Sequence, residues 1–551
     1  MCGIWTIVGS PVMREKRADL LKQLEARGPE FTNYLDISGT SVSLGFTRLA
    51  INGLTPQGHQ PFLANGIYAI CNGEIYNYMD LANRWKIPVE DGTSDCSILP
   101  LLAQTLPMTE FCRTLDGVFA MVLVDTKNQI LYVARDPYGV RPLFEGVFPT
   151  GERMWASELK GLSKDCVEVK PFPPGTWRSY TLQGKLLDEV RYHHVPHVKM
   201  DCFQPSLVRE HVKYAIRESL QSAVKKRLLS DRPIGALLSG GLDSSLVCAI
   251  AAKELGYKGK KLTTFSIGMP GSTDLVYAKQ VAHHIGSIHH EILVQPEDFL
   301  QAIPQVVKAI ESYDITTVRA SVGNWLVGKY IQEHTDIKVV FNGDGSDEIG
   351  GGYLYFYKAP SDEEFEAESE RLLEEIHMYD VLRSDRSMAA HGLEARTPFL
   401  DKNVVATWRS FHTSLRRPSN GGPSGRGVRM EKQILREAFD TLLLPMEVLF
   451  RKKEAFSDGV SSVQDSWYKR CSEYAKCKFS LENAKSMFPH NTPLTEEAFW
   501  YRSLFQEQYG DQWATVIPHM WLPKWVENGN DPSARTLTDL YKANEPLSYK
   551  V

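Results

Sequence analysis

Pro233-Ile234-Gly235-Ala236-Leu237-Leu238-Ser239-Gly240-Gly241-Leu242-Asp243-Ser244-Ser245 decides how the larger part of this chain folds. Residues 233–238 form an apolar run of strand length. The glycine pair then turns the chain, and Ser245 to Leu255 reads as a helix leaving the turn. A strand, a glycine loop and a helix N-terminus together offer backbone N–H groups to an anion, so the loop suits pyrophosphate. It is not a Walker A loop, because no Gly-Lys-Ser or Gly-Lys-Thr occurs in the chain. Outward from it, Leu262 to Ile267 and Lys338 to Phe341 read as further strands. Thr273 to Ile285 and residues 208–229 read as helices, the latter with Val212, Ala215, Ile216, Leu220 and Val224 at helical spacing. Strand and helix alternate, which predicts a parallel sheet flanked by helices, with ligands at its carboxyl edge. A second loop, Asn342-Gly343-Asp344-Gly345-Ser346-Asp347-Glu348, falls on that same edge. Asp243 and Asp347 are the candidate Mg²⁺ ligands, since Mg²⁺ takes one or two carboxylates plus substrate phosphates. An EF-hand does not fit, because the oxygen spacing is too short.

Residues 1 to about 195 have a different texture. Short apolar runs such as Tyr68 to Cys71, Val118 to Val124 and Ile130 to Ala134 lie between turn residues and predict buried strands in stacked sheets. The polar stretch from about Gly184 to Pro205 reads as a linker, and its His193, His194 and His197 as a solvated connector rather than a metal cluster. Beyond about 360 the pattern is mostly helical, with a charged helix from Glu363 to Tyr379 and a mobile glycine-rich loop over residues 417–427. At 551 residues two or more domains are expected, and 43% hydrophobic with 23% charged residues is a globular composition. A net charge of -5 provides no electrostatic footprint for nucleic acid. No run approaches a membrane helix or a signal peptide, and nine scattered cysteines without a Cys-x-x-Cys pair read as a reduced cytoplasmic protein.

Chemistry concentrates at the start. Met1-Cys2-Gly3-Ile4 places a thiol where loss of the initiator methionine would leave it beside a free α-amine, which can act as its base. Asn72-Gly73 follows a strand run and could hold a developing oxyanion. Arg48 could pair with an α-carboxylate and Asp95 with an α-ammonium.

Taken in order, these residues resemble the class-II glutamine amidotransferases, which are N-terminal-nucleophile hydrolases. Arg27-Gly28-Pro29, Asn72-Gly73-Glu74-Ile75-Tyr76-Asn77, Leu115 to Ala120 and Ala134 to Leu143 carry the likeness. It implies an αββα sandwich in which Cys2 attacks the glutamine carboxamide. Asn72 and Gly73 would form the oxyanion hole, and Arg48, Leu49, Glu74 and Asp95 would hold the amino-acid end. Ala26, Glu30 and Asn52-Gly53 depart from the usual pattern, so altered substrate affinity is expected. The Ser239 loop matches the pyrophosphatase loop of enzymes that cleave ATP to AMP and pyrophosphate. From Cys2 to about residue 540 the chain resembles the glutamine-hydrolysing asparagine synthetases. The strings are Glu311 to Ser321, Ala390 to Asp401, Arg451 to Gly459 and Asp531 to Thr536. This resemblance implies ATP as co-substrate beside Leu237, Ser239, Gly240, Gly241, Asp243, Ser244, Ile267, Asn342 and Gly343, with Lys453 meeting phosphate. Asp344 stands where the family has a Glu tied to adenylate formation and ammonia's proton, and Asn342 where it has a Ser.

The expected organisation is therefore an α+β N-terminal-nucleophile sandwich over residues 2–195. An α/β parallel-sheet domain of the adenine-nucleotide α-hydrolase type follows over 206–540, with a helical C-terminal part, then a tail over 541–551. The expected reaction moves glutamine nitrogen to aspartate through a β-aspartyl-adenylate, with an apolar passage for ammonia between the sites. Glutamine, aspartate and ATP are the expected partners, and a homodimer is implied by resemblance alone. Two alternatives stand: a β-lactam-synthetase-like amide-forming enzyme, and a synthetase-defective regulatory glutaminase that would rest on Asn342 and Asp344.

Overall fold

A computed structural model describes residues 1–9, 12–196, 205–420, 428–454, 459–462 and 466–526. His197, the Ala455 to Asp458 part of the Arg451 string, the Asp531 string and the tail lie outside the described residues. The N-terminal part folds as two six-stranded antiparallel sheets. Gly3–Val8 is central in the first, paired with Val42–Arg48 and Arg153–Ala156. Ile67–Ile75 and Gly117–Asp125 are central in the second, where Asn72 lies opposite Ala120 and Gly73 opposite Phe119. Strands of both sheets contribute Ile4, Leu44, Phe46, Ile70, Val122, Val133 and Trp155 to one apolar layer between them. Helices Tyr78–Trp85, Leu99–Thr105 and Met108–Thr114 cover the second sheet through Leu81, Leu99, Leu102 and Phe111. The first sheet is covered by helix Arg14–Lys22. Its Trp5, Ile7 and Met154 also belong to the same apolar cluster as Ile303, Val307 and Trp513 of the second domain. The αββα sandwich is thus as expected, and its outer layer is continuous with the neighbouring domain.

The second domain has a five-stranded, wholly parallel sheet. Its order is Ile288–Leu293, Thr263–Gly268, Ile234–Leu237, Val339–Phe341, Glu394–Arg396, and helices continue to Tyr509. The helix after the glycine loop is Leu242–Gly256, so Leu242 to Ser245 form its first turn rather than preceding it. Helix Thr273–Ile285 begins on a Ser272 cap and ends on left-handed Gly286.

Two expectations need correction. The stretch read as a linker begins too early: Leu186–Arg191 is the edge strand of the second sheet, paired with Thr176–Thr181. An edge strand exposed along its length shows no apolar alternation, so nothing in its composition separates it from a connector. In the glycine-rich loop, Ser419–Asn420 pairs with Val428–Arg429 as a two-stranded ribbon, and residues 421–427 lie outside the described residues. Among the described residues no group of three or more His, Cys, Asp or Glu could hold a metal, and His197 lies outside them. His193 instead packs its ring edge-on against Tyr138.

Candidate active sites

Met1 is buried, its Sδ facing the Arg141 guanidinium at 2.8 Å, and Cys2 follows at the start of the central strand of its sheet. The Cys2 thiol donates to the Leu49 carbonyl at 3.7 Å, and Arg27 Nε donates to the Cys2 carbonyl at 2.9 Å. Burial pushes the Cys2 thiol up to about 11 and brings the Met1 amine down to about 6. Asn72 is buried, and among the described residues neither its Oδ1 nor its Nδ2 has a hydrogen-bond partner. Buried amides are nearly always paired, so an orphan of this kind needs an explanation. Gly73 is required by packing: a Cβ would lie 2.3 Å from the Val118 carbonyl oxygen on the facing strand.

The amino-acid end is more elaborate than its motif. Asp95 accepts from the Ile75 N–H at 2.6 Å and from Ser94 Oγ at 3.0 Å. Asn52 donates to both Glu74 and Asp95 and so bridges the two carboxylates. Burial, reinforced by Glu394 and Asp95, holds Glu74 well above the usual carboxylate range. Arg48 uses two nitrogens on the carbonyls of Thr55 and Gly53, which makes it a brace for loop 53–55 as well as a cation beside Cys2.

The second site is a cavity of about 610 Å³ at the carboxyl edge of the parallel sheet. Leu237, Ser239, Gly241, Asp243, Ser244, Ile267, Asn342, Gly343, Asp344, Asp347 and Lys453 all line it. Gly240 does not line it. It turns the loop at φ +70°, where a Cβ would come within 2.5 Å of the Ala278 backbone nitrogen. Ser239 and Ser244 bond each other through their hydroxyls at 2.9 Å, which closes the loop over the helix start.

The floor of the cavity is charged. Lys432 Nζ lies 2.8 and 2.6 Å from the two Asp243 oxygens and 2.7 Å from Asp347 Oδ1, while Lys453 Nζ lies 2.6 Å from Asp347 Oδ2. Burial alone would raise Asp347, but the two ammoniums outweigh it and hold its carboxyl far below the usual range. Asp344 is pushed up by burial and takes Arg383 Nη2 at 3.1 Å. Lys432, Arg383, Asp380 and Ser384 carry no motif signal in the sequence. Only their positions near the cavity reveal them.

Three consecutive residues of helix Asp380–Ala389 connect the two sites. Arg383 pairs with Asp344, Ser384 accepts from Asn342, and Asp385 binds Arg27 at 2.8 Å and Arg141 at 3.4 Å. Arg141 reaches Glu394 at 3.2 Å, and Arg396 reaches Glu74 at 3.3 Å across the domain boundary. Between the sites lies an ion-paired layer with Val140, Val381 and Ala395 set into it around a small cavity. Buried charges persist there because every carboxylate faces a guanidinium.

Residues 215–370 and 359–528 match the asparagine synthase family, and residues 1–200 match the glutamine amidotransferase domain. The chain belongs to the asparagine synthase family. Asparagine synthetase [glutamine-hydrolyzing] of Homo sapiens is 42% identical over 566 residues, covering 98% of this chain and 99% of that protein. The proteins of the same description from Cricetulus griseus and Mus musculus match at the same identity and coverage. Membership in the asparagine synthase family thus extends over both sites. Among the described residues of this family member no helix is long and apolar enough to cross a membrane.

Proposed function

We propose that the chain makes asparagine from aspartate, with ATP as the driving substrate and glutamine as the nitrogen source. The observation that carries this reading is the run Arg383-Ser384-Asp385, which ties Asp344 and Asn342 on one side to Arg27, and through it to Cys2, on the other. Once Met1 is removed, the α-amine of Cys2 takes the thiol proton, which a thiol at about 11 cannot shed unaided. The thiolate attacks the glutamine carboxamide carbon. The carboxamide oxygen gains charge against the unpaired Asn72 amide and the Gly73 N–H, ammonia leaves, and water then hydrolyses the thioester to glutamate. Glu74 and Asp95, linked by Asn52, receive the substrate ammonium, and Arg48 its carboxylate.

In the second site the aspartate side-chain carboxylate attacks the α-phosphorus of ATP, pyrophosphate leaves, and ammonia displaces AMP from the β-aspartyl-adenylate. Asp344, raised by burial, accepts the proton that the attacking ammonia loses, and Lys453 faces the departing pyrophosphate. One ammonium already bridges Asp243 and Asp347, so the pair can converge on a single cation, and two carboxylates are a donor set that Mg²⁺ accepts beside phosphate oxygens. Bound there, Mg²⁺ would supply charge neutralisation on pyrophosphate. The same reading takes the protein as cytoplasmic and homodimeric.

Nitrogen transfer followed by NMR tests the proposal, with aspartate, Mg·ATP and either amide-¹⁵N glutamine or ¹⁵N-ammonium. Labelled asparagine from both donors, with AMP equal to product, is the expected result. Labelled ammonia without asparagine or AMP from either donor would reduce the protein to a glutaminase.

A further inference from the structure

Lys432 is buried, and its backbone lies in the left-handed region at φ 54°, where a non-glycine residue is held only by its surroundings. Those surroundings are built for its side chain. A Cβ on Gly350 would come within 2.9 Å of Lys432 Cγ. One on Gly352 would lie 2.9 Å from Lys432 Cε and 2.0 Å from Asp347 Oδ1. The glycine run therefore forms a slot for the aliphatic stem and brings the ammonium to both carboxylates. Its three donors are all engaged, two on Asp243 and one on Asp347, and Ser346 Oγ adds a bond to Asp243 at 2.7 Å. Lys453 bonds the other oxygen of Asp347.

We infer that Lys432 is a built-in substitute for the divalent cation, holding Asp243 and Asp347 together until Mg·ATP arrives and setting how weakly the empty site binds metal by itself. Two carboxylates aimed at one point in a cavity repel each other, and a compact ammonium in a fixed slot cancels that repulsion without a metal. The same ammonium occupies the oxygens a free cation would use. Metal without nucleotide must displace it, whereas metal arriving with a polyphosphate offers that ammonium new partners. Lys432 is on this account a positioning residue that makes metal binding conditional on nucleotide. The inference rests on the reading that Asp243 and Asp347 carry the metal.

The test uses the full-length protein, with Mn²⁺ as the probe and electron paramagnetic resonance reporting free Mn²⁺. Without nucleotide, Lys432→Met should bind Mn²⁺ about tenfold or more tighter than the unsubstituted protein, because the ammonium that bridges both carboxylates is gone, leaving only Lys453 on Asp347. Lys432→Arg, which keeps the cation, should resemble the unsubstituted protein. Thermal melting supplies a second readout: Lys432→Met should melt lower in chelator and recover with millimolar Mg²⁺, while the unsubstituted protein should respond to Mg²⁺ only when ATP is present. Equal Mn²⁺ affinity in Lys432→Met and the unsubstituted protein overturns the inference. So does a Lys432→Met protein that fails to fold even in Mg²⁺, since a cation in the same place should replace the ammonium. Failure of the unsubstituted protein to bind Mn²⁺ even with ATP would instead remove the metal assignment, and the inference with it.

Discussion

Asn72→Ala separates catalysis from stability in a way that its neighbour Gln60 makes measurable. Both amides are buried, Asn72 within the strand Ile67–Ile75 and Gln60 against its Cys71. Gln60 is fully used: its Oε1 accepts from the Cys71 N–H at 2.6 Å and its Nε2 donates to the Cys71 carbonyl at 3.2 Å. Asn72 has no partner for either amide atom among the described residues. Gln60→Ala strands a buried N–H and a buried C=O, at about 1–3 kcal/mol each. Asn72→Ala removes two orphaned polar atoms, which relieves a cost of about that size and offsets the small cavity left behind. The expected change in stability for Asn72→Ala is within about 1 kcal/mol, or a melting shift below about 4 °C for a domain of this size. Loss of one oxyanion-hole donor should lower glutamine hydrolysis by about 10²–10³-fold. Glutamate release measures the first reaction, ammonia-dependent asparagine formation the second, and differential scanning fluorimetry the stability. Ammonia-dependent synthesis should be unchanged. A loss of glutaminase smaller than about tenfold, or a melting drop matching that of Gln60→Ala, would refute the assignment of Asn72. An equal fall in ammonia-dependent synthesis would refute the separation of the two sites.

Asp344→Asn keeps the shape but removes the proton acceptor and the charge facing Arg383. Ammonia-dependent synthesis, followed as AMP release, should fall by about 10²-fold or more while glutaminase is retained. Arg396→Met leaves Glu74 and Glu394 buried without their shared guanidinium, so the protein should lose about 3–5 kcal/mol of stability in thermal or urea unfolding, and KM for glutamine should rise. Acid lability should appear between about pH 6.5 and 4. Burial lowers His193 and His391 to about 4, and His377 well below its ordinary value. These rings stay neutral in the folded protein but charge in the unfolded chain. Their contribution is intact above about pH 6.5 and falls with pH by less than about 1.4 kcal/mol per unit per ring, since all three are only partly buried, which urea midpoints across that range would register.

The sequence made legible what local chemistry encodes. Apolar runs between turn residues located the central strands. The glycine pair at Gly240-Gly241 located the loop between the first parallel strand and its helix, because only glycine tolerates Gly240's φ +70° hard against a neighbouring helix. What stayed hidden was charged and buried. Glu394–Arg396 is the fifth strand of the parallel sheet, yet it presents Glu394 and Arg396 where such strands usually present apolar residues. Their burial is possible because Glu394 meets Arg141 and Arg396, while Arg396 also meets Glu74. Arg27 and Asp385, 358 residues apart, are a pair only because the domains meet there. No periodicity reports that, since each residue alone reads as a solvated charge. Lys432 is the same case inside one domain, 189 residues from Asp243 and 85 from Asp347.

The hidden residues also explain why the boundary, apolar where Trp5, Ile7 and Met154 join the cluster of Ile303, Val307 and Trp513, is ionic between the two sites. A guanidinium–carboxylate layer has fixed directions, so each bond sets where its partner must lie, whereas apolar contacts of equal area would let the domains slide. Cys2, Asn342 and Asp344 belong to different domains but must keep one spacing if ammonia formed at the first is to meet an adenylate at the second. Arg27 holds the Cys2 carbonyl with one nitrogen and Asp385 with two others, and Asp385 shares a helical turn with Ser384 and Arg383. The spacing between the two chemistries is thereby fixed through one short rigid helix rather than through the linker. A substitution that loosens Arg27 from Asp385 should for that reason release ammonia into solvent while leaving each half-reaction active.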